Sequence, residues 1–274
     1  MSNRAPNEYA LGHNHDELQR LIGQGRWLGE LTEEVLRAAG IEPGMRVLDV
    51  GCGAGDVSFL AATLVGSGGS IVGVDRSPEA IALARRRAAD VGLANVSFVT
   101  QDLQELATDG RFDAIIGRLV LMYFPQPAAA LRRLLELLVP GGVVAFHEID
   151  VHGATSEPNV PLFELTLARV MHALQCAGAQ PRMGLRLAQT FLEVNLPLPR
   201  MIAHARIGTA ADTGIIQQVT AITRTLLPAM EKHGIATAAE VDIETLAERL
   251  QQAVQATAAT VVGPLFVGAW ARKS

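Results

Sequence analysis

The chain has 274 residues, of which 49% are hydrophobic and 19% charged, and this composition predicts a folded protein with a full core and excludes intrinsic disorder. Its formal net charge of −5 and pI of about 5.8 argue against a broad phosphate-binding face, because such a face needs clustered lysines and arginines. We therefore expect no nucleic-acid partner, and we interpret the run Arg85, Arg86, Arg87 as a solvated helix face.

Cysteine usage and apolar stretches predict where the protein resides. Cys52 and Cys176 are the two cysteines, and their wide separation predicts a reducing, cytoplasmic setting without a disulfide scaffold or a thiolate zinc site. The first 17 residues contain no apolar run typical of a secretory signal. The uncharged stretch 251–271 contains several Gln and Thr residues and Pro264, so we expect no membrane span.

The first predicted elements are a helix, a strand and a second helix. Apolar residues recur at helical spacing over residues 28–36, and Gly40 supplies a stop. RVLDV at 46–50 predicts a short buried strand, and the next helix begins near Asp56. A glycine-rich turn therefore lies between this strand and its following helix.

The alternation of strands and helices continues to residue 150. Further strands are predicted at 70–75, 95–100, 112–117 and 143–150, and helices at 77–92 and 127–138. Ser77 is the predicted N-cap of the first of these helices, and Pro140-Gly141-Gly142 is predicted to close the second. This alternation predicts an α/β fold with a doubly wound, mostly parallel sheet.

The pattern changes after Asp150. Helices are predicted at 160–176, 185–194, about 212–232 and 239–257, and strands at 201–207 and 261–271, which brings the predicted strands to seven. Since no repeat or low-complexity linker occurs, we expect these extra helices to pack onto the sheet domain rather than form an independent unit.

The turn after the first strand contains Gly51, Gly53 and Gly55. Glycines let the backbone bend sharply and approach a ligand without an intervening Cβ. The dinucleotide-binding pattern GxGxxG would require glycine at position 56, where this chain has Asp56, and an acidic side chain there would repel a pyrophosphate. The sequence therefore disfavours a nicotinamide dinucleotide.

The spacing GxGxG, with Asp49 two residues earlier, resembles the first motif of class I S-adenosylmethionine-dependent methyltransferases of the small-molecule type. Four more stretches agree with that family in order: GVDRS, QDLQEL, FDAIIGRLVLMYFPQP and LLELLVPGG. The resemblance covers most of residues 46–150. It implies a Rossmann-like, seven-stranded sheet and S-adenosylmethionine as cofactor.

The resemblance also implies cofactor-binding residues, namely Asp49, Gly51, Gly53, Gly55, Asp75, Arg76, Asp102, Leu103 and Arg118. Asp75 would accept hydrogen bonds from both ribose hydroxyls, while Asp102 would contact the adenine amino group and Leu103 would flank the ring. In the N-terminal segment, the resemblance implies that Tyr9 and Gln24 approach the cofactor.

Each of these positions also has a purely structural interpretation. The glycines can serve strand-to-helix packing, and Asp75 can cap the following helix. Asp102 can be a loop carboxylate, and Arg118 can form a surface ion pair. The two interpretations differ in the contacts that they predict for each of these side chains.

Candidate catalytic residues lie in FHEID at the end of the fifth strand, where open α/β sheets place ligands. His147 and Glu148 are the predicted catalytic pair, although strand alternation places them on opposite faces of the sheet. The alternative for His147 is a hydrogen-bonded histidine at the sheet edge. Tyr123 and Phe124 can wall the acceptor site or pack in the core, and we predict acceptor contacts for Tyr123, His147 and His172.

The predicted organisation has three parts: an N-terminal helical cover (1–40), an S-adenosylmethionine-binding core (41–150), and the remaining strands with inserted helices that form a substrate lid (151–274). We expect methyl transfer to oxygen or nitrogen of a small organic molecule, with no metal, since His13 and His15 lack a third ligand. A homodimer is compatible with the sequence. The alternatives are an NAD(P)-dependent oxidoreductase and a non-catalytic S-adenosylmethionine-binding module.

Overall fold

A computed structural model describes residues 15–103, 106 and 111–274, with the side chains of 15–22, 24 and 26 outside the described set. The helices are α1 (His15–Ala39), α2 (Asp56–Val65), α3 (Pro78–Asp90), α4 (Pro127–Glu136), α5 (Pro161–Cys176), α6 (Met183–Leu192), α7 (Gly214–Lys232), α8 (Ala238–Val241) and α9 (Leu246–Thr257). The strands are β1 (Arg46–Val50), β2 (Ser70–Asp75), β3 (Val96–Thr100), β4 (Phe112–Arg118), β5 (Leu138–Asp150), β6 (Thr155–Glu157), β7 (Arg200–His204), β8 (Ile207–Gly208), β9 (Thr260–Val262) and β10 (Leu265–Arg272). Short 3₁₀ turns occupy Leu121–Tyr123 and Val151–Gly153.

The described residues divide into two compact units. The sheet unit comprises Leu21–Asp150, Arg182–His204 and Phe266–Ser274. The helical unit comprises Val151–Pro181 and Ala205–Leu265, together with the described residues before Leu21.

The sheet unit contains a seven-stranded sheet in the order β3-β2-β1-β4-β5-β10-β7. Neighbouring strands from β3 to β5 run parallel, and β7 pairs antiparallel with β10. This arrangement confirms the predicted mostly parallel, seven-stranded α/β fold. It also brings the carboxyl ends of β1, β2, β4 and β5 to one edge of the sheet.

The core of the sheet unit lies on both faces of the central strands. On one face, Ile116 and Val143 pack with Val35 of α1 and with Val57 and Ala61 of α2. On the other face, alternate residues such as Leu48, Ile115, Val144 and Phe146 are also fully buried. Burial on both faces explains why these strands are continuous apolar runs in the sequence.

The packing of the helices after Asp150 differs in part from the prediction that they all pack onto the sheet domain. α6 contacts β5 of the sheet unit, as predicted for the extra helices. By contrast, α5 packs against α7 and α9 within the helical unit. The prediction that the extra helices form no unit of their own is therefore wrong for α5, α7 and α9.

Two predicted strands are each divided between separate sheets. The predicted strand 261–271 is β9 and β10, separated by Gly263 and Pro264, and the predicted strand 201–207 is β7 and the start of β8. β6, β9 and β8 form a three-stranded antiparallel sheet in the helical unit. Proline has no N–H to donate to a ladder, which accounts for the break before β10.

Two further boundaries differ from their predictions. The predicted helix 239–257 is interrupted by Asp242, whose φ of 45° is left-handed and ends α8. β5 begins at Leu138 rather than at 143. The prediction that Pro140-Gly141-Gly142 closes the preceding helix is wrong, because this segment lies within β5, where the pairing with β4 shifts. Among the described residues, we find no helix with the length and apolarity needed to cross a bilayer.

Gly268 of β10 packs directly against Val35 of α1. A Cβ built on Gly268 would lie 2.8 Å from Val35 Cγ1 and closer still to Cγ2. We expect Gly268→Ala to destabilise the protein by about 1–3 kcal/mol, because the added methyl group overpacks this contact. Urea unfolding measures the change.

Val35→Ala provides the matched test, because it removes the side chain that the new methyl group would meet. The Gly268→Ala/Val35→Ala double variant should lose less stability than the sum of the two single variants. Additive losses would show that Val35 does not limit the space at Gly268.

Candidate functional site

The turn after β1 has a left-handed backbone at all three of its glycines, with φ values of 64° at Gly51, 52° at Gly53 and 87° at Gly55. A Cβ on Gly51 would lie 2.6 Å from Val120 Cγ2, and one on Gly55 would lie 2.9 Å from Phe59 Cζ. Gly51 and Gly55 therefore fit close packing, and the backbone conformation itself favours glycine at all three positions.

Asp75, at the end of β2, holds this turn in place. Its Oδ2 accepts a hydrogen bond from the Gly53 N–H at 2.9 Å, and its Oδ1 accepts one from the Ser77 N–H at 2.9 Å. Ser77 caps α3 as predicted, since its Oγ accepts from the Ala80 N–H. Because a carboxylate offers about four acceptor positions, Asp75 keeps capacity for further hydrogen bonds.

Asp49 on β1 is a buried carboxyl group two residues before the first glycine of the turn, with 1% of its surface exposed. Ser58 of α2 donates its hydroxyl to Asp49 Oδ2 at 2.5 Å, whereas Oδ1 has no partner among the described residues. Burial raises the pKa of Asp49 to about 7, although the Ser58 hydrogen bond and the Arg118 charge act in the opposite direction. A cation placed near this carboxyl would favour its ionised form.

Asp56 begins α2 and is paired with Arg87 of α3. Arg87 Nη2 lies 2.8 Å from Asp56 Oδ1, and Arg87 Nη1 donates to the Ala54 carbonyl at 2.5 Å. Arg85 donates to the Phe98 carbonyl at 2.6 Å. The interpretation of the arginine run as a merely solvated face is therefore wrong for Arg85 and Arg87, which bind backbone carbonyls near the turn and β3.

Arg118 and His147 are paired residues at the carboxyl ends of β4 and β5. Arg118 Nη1 donates to Thr32 Oγ1 of α1 at 3.0 Å, and His147 Nδ1 lies 3.2 Å from the same oxygen. Burial lowers the pKa of the Arg118 guanidinium, while Asp56 and Asp49 act in the opposite direction. Thr32 therefore joins α1 to both strand ends, which differs from the surface ion pair considered for Arg118.

Glu148 lies on the opposite face of β5 from His147, as strand alternation predicts. It is fully buried, and its Oε1 accepts hydrogen bonds from the Val120 N–H at 2.9 Å and the Leu121 N–H at 2.7 Å. These amides follow Leu119, which has a left-handed φ of 54°. Glu148 therefore stabilises a strained backbone at the exit of β4.

The other predicted residues lie in varied surroundings. Tyr123 and Phe124 are partly buried after β4, Leu103 is partly buried, and Arg76 and Asp102 are exposed. Asp150 is buried and paired with Arg182 at 3.2 Å, and His172 is exposed on α5 of the helical unit. Tyr9, His13 and the side chains of Gln24 and His15 lie outside the described residues.

Two polar residues at this edge of the sheet escaped sequence interpretation. Thr32 and Ser58 are buried inside α1 and α2, where small polar residues do not disturb the apolar helical pattern. Their hydroxyls bind Arg118 and Asp49, respectively. No group of three or more His, Cys, Asp or Glu side chains within the described part of the chain is arranged to hold a metal ion.

The sheet order, the glycine turn and the acidic residues near the ends of β1 and β2 define a Rossmann-like fold of the class I methyltransferase type. The family described as "methyltransferase domain" matches residues 41–181, half of the chain, and the chain therefore belongs to this family. S-adenosylmethionine is the methyl donor of class I methyltransferases.

Individual proteins show the same likeness. The chain is 37% identical over 123 residues to the aklanonic acid methyltransferase of Streptomyces sp. (strain C5), which covers 44% of this chain and 53% of that protein. It is 31% identical over 153 residues to the demethylmenaquinone methyltransferase of Staphylococcus aureus, covering 56% and 58%. The chain thus spans little more than half the length of these two relatives.

A solved structure extends the likeness in fold beyond the family match. The phospholethanolamine N-methyltransferase 2 of Haemonchus contortus superposes with a TM-score of 0.56 at 19% identity, covering 89% of this chain and 52% of that protein. At this identity, the match establishes the shared fold.

Glu148 gives the site a testable pH signature. Burial raises its pKa from 4.5 to about 7, although the hydrogen bonds from Leu121, Val120 and Met122 act in the opposite direction. Between these pH values the folded protein keeps a proton that the unfolded chain releases, so rising pH favours unfolding. As the pH rises from about 4.5 to about 7, the free energy of unfolding of the wild-type protein should fall by on the order of 3 kcal/mol relative to that of Glu148→Gln.

Urea unfolding of both proteins at a series of pH values measures this difference. The contributions of Asp49 and His147 are present in both proteins and cancel in the comparison. A stability difference that does not change between about pH 4 and about pH 8 would show that Glu148 ionises normally in the folded protein.

Proposed function

We propose that the protein transfers the methyl group of S-adenosylmethionine to oxygen or nitrogen of a small organic acceptor. The observation that carries this proposal is the buried carboxyl of Asp49, whose Oδ1 lacks a partner among the described residues beside a glycine turn. A buried carboxyl oxygen without a partner is costly, and a cationic ligand group would satisfy it. The amino group of S-adenosylmethionine has this character.

The surrounding residues fit the rest of the cofactor. Arg118, partly buried near Asp49, would bind the cofactor carboxylate, so that the two side chains complement the two charges of an amino acid. Asp75 would bind the ribose hydroxyls, while Asp102 and Leu103 would bind the adenine. Gly51, Gly53, Gly55, Arg76, Tyr9 and Gln24 complete the proposed cofactor-binding set.

When bound, S-adenosylmethionine supplies a methyl group that is already activated on a sulfonium, so this chain's residues need only align the acceptor with it. Alignment of two reactants can contribute about 7–11 kcal/mol to the lowering of a barrier. His147 is neutral at physiological pH, because burial lowers its pKa to about 3. A pKa this low makes the imidazole a weak base, so its proposed role is to orient the acceptor. Glu148, which accepts hydrogen bonds from two backbone amides, would act by holding the exit of β4.

The proposed acceptor is a small organic molecule. The two relatives are named for aklanonic acid and demethylmenaquinone, which are both compounds of this kind. The net charge of −5 disfavours a nucleic-acid acceptor. We propose that Tyr123, His147 and His172 contact the acceptor and that the helices after residue 150 form a substrate lid. We further propose a cytoplasmic location and a homodimeric assembly.

Calorimetric titration with S-adenosylmethionine, S-adenosylhomocysteine and NADH tests the cofactor first. Binding of the two sulfur compounds without a response to NADH is the expected result, since Asp56 replaces the glycine that a dinucleotide requires. A screen of small acids, phenols and amines with labelled methyl donor then tests transfer. Binding without transfer to any acceptor would favour a non-catalytic module, and binding of NADH would overturn the proposal.

Asp75→Ala should weaken S-adenosylhomocysteine binding by about 1.5–3 kcal/mol, because charge-assisted hydrogen bonds to the ribose are lost. Asp113→Ala is the matched control, since Asp113 of β4 also accepts a hydrogen bond from a backbone N–H, that of Arg46 at 2.8 Å. Arg46 begins β1, at the opposite end of that strand from the glycine turn. Calorimetry should find the affinity of this control unchanged. Equal affinity in wild type and a folded Asp75→Ala variant would remove Asp75 from the site.

A further inference from the structure

The hydroxyl group of Thr32 has three polar neighbours in a buried setting. Thr32 is 1% exposed, and its Oγ1 lies 2.9 Å from the Leu28 carbonyl oxygen, 3.0 Å from Arg118 Nη1 and 3.2 Å from His147 Nδ1. A hydroxyl carries one proton and two lone pairs, so it can satisfy all three neighbours in a limited number of ways.

Two of the three hydrogen bonds have fixed directions. The Leu28 carbonyl can only accept, so the single Thr32 proton is directed to it, and the Arg118 guanidinium can only donate. The remaining lone pair of Thr32 then faces His147 Nδ1 and requires a donor there. The three contacts are satisfied together when His147 carries its proton on Nδ1.

The other nitrogen of His147 has a different environment. His147 is 2% exposed, and its Nε2 is buried without a hydrogen-bond partner among the described residues. Burial, Arg118 and His204 lower the pKa of His147, with the Phe266 carbonyl acting in the opposite direction, so the ring is neutral with one N–H. With that proton on Nδ1, the Nε2 lone pair is left as a buried hydrogen-bond acceptor.

We propose that Thr32 is a positioning residue that fixes His147 as its Nδ1–H tautomer and so presents the Nε2 lone pair to an O–H or N–H group of the methyl acceptor. This inference rests on the proposed function and specifies the acceptor class further: a molecule with a hydrogen-bond donor at or beside the methylated atom. Thr32 acts through His147 and does not itself touch the acceptor.

The experiment measures the tautomer directly, without cofactor or acceptor. Two-bond ¹H–¹⁵N correlation spectra of histidine-labelled protein at about pH 7 distinguish a protonated from an unprotonated ring nitrogen, and the spectrum of His147→Gln assigns the signal among the seven histidines. In the wild-type protein we expect His147 to have a protonated Nδ1 and an unprotonated Nε2. A His147 protonated on Nε2 overturns the proposal.

Variants of Thr32 test whether its hydroxyl group fixes the tautomer of His147. Thr32→Val keeps the shape but removes the hydroxyl, and should shift His147 toward the Nε2–H tautomer, whereas Thr32→Ser should retain the wild-type pattern. Thr223→Val is the matched control: Thr223 is also 1% exposed and donates to the carbonyl four residues earlier, that of Val219 at 2.7 Å. The control should leave the His147 signals unchanged.

An unchanged tautomer in a folded Thr32→Val variant overturns the role of Thr32. If Thr32→Val does not fold, the wild-type spectrum and Thr32→Ser still decide the proposal, since either one can show the wrong tautomer. The outcome is separate from that of the proposed function, because calorimetry with S-adenosylhomocysteine reports cofactor binding independently of the histidine signals.

Discussion

The left-handed backbone of the turn after β1 is the constraint on which the site depends. A side chain at Gly51 would overlap Val120, and the turn is held in its conformation by the hydrogen bond from Gly53 to Asp75. β1 and β2 are adjacent parallel strands, so a carboxylate that ends one strand can reach the backbone that leaves the other. The turn begins two residues after Asp49, and its three glycines contribute backbone that carries no Cβ.

The edge of the sheet that carries the site also contains buried polar atoms that lower the stability of the fold. Asp49, His147 and Glu148 each have a buried polar atom without a partner among the described residues. Such atoms cost about 1–3 kcal/mol each, and the surrounding fold must compensate. The apolar contacts of α1 and α2 with the central strands supply that compensation on one face of the sheet. A bound ligand that satisfies these atoms would recover part of the cost.

Local pattern predicted the first half of the chain well, because strand and helix periods alternate there and glycines mark the boundaries. The local pattern did not predict strands whose formation depends on pairing with segments far away in the chain. β8 has two residues and β9 three, too few to show a period, and their pairing joins segments about fifty residues apart. Sequence analysis missed Thr32 and Ser58 because a hydroxyl within an apolar helix does not indicate which residue it binds. Asp75, by contrast, is the last residue of a strand that the sequence pattern predicts.

The position of β10 within the sheet has a consequence for biosynthesis. β10 lies between β5 and β7, yet it follows both of them in the chain by many residues. During translation, β1 to β5 emerge with the glycine turn and can pair with one another, but β5 stays at an open edge of the sheet while residues 151–264 are made. Until Phe266–Ser274 leave the ribosome, β7 has no neighbour to pair with and the edge of β5 is free to bind another chain. β10, which is synthesised after both of its neighbours, thus closes the sheet from within.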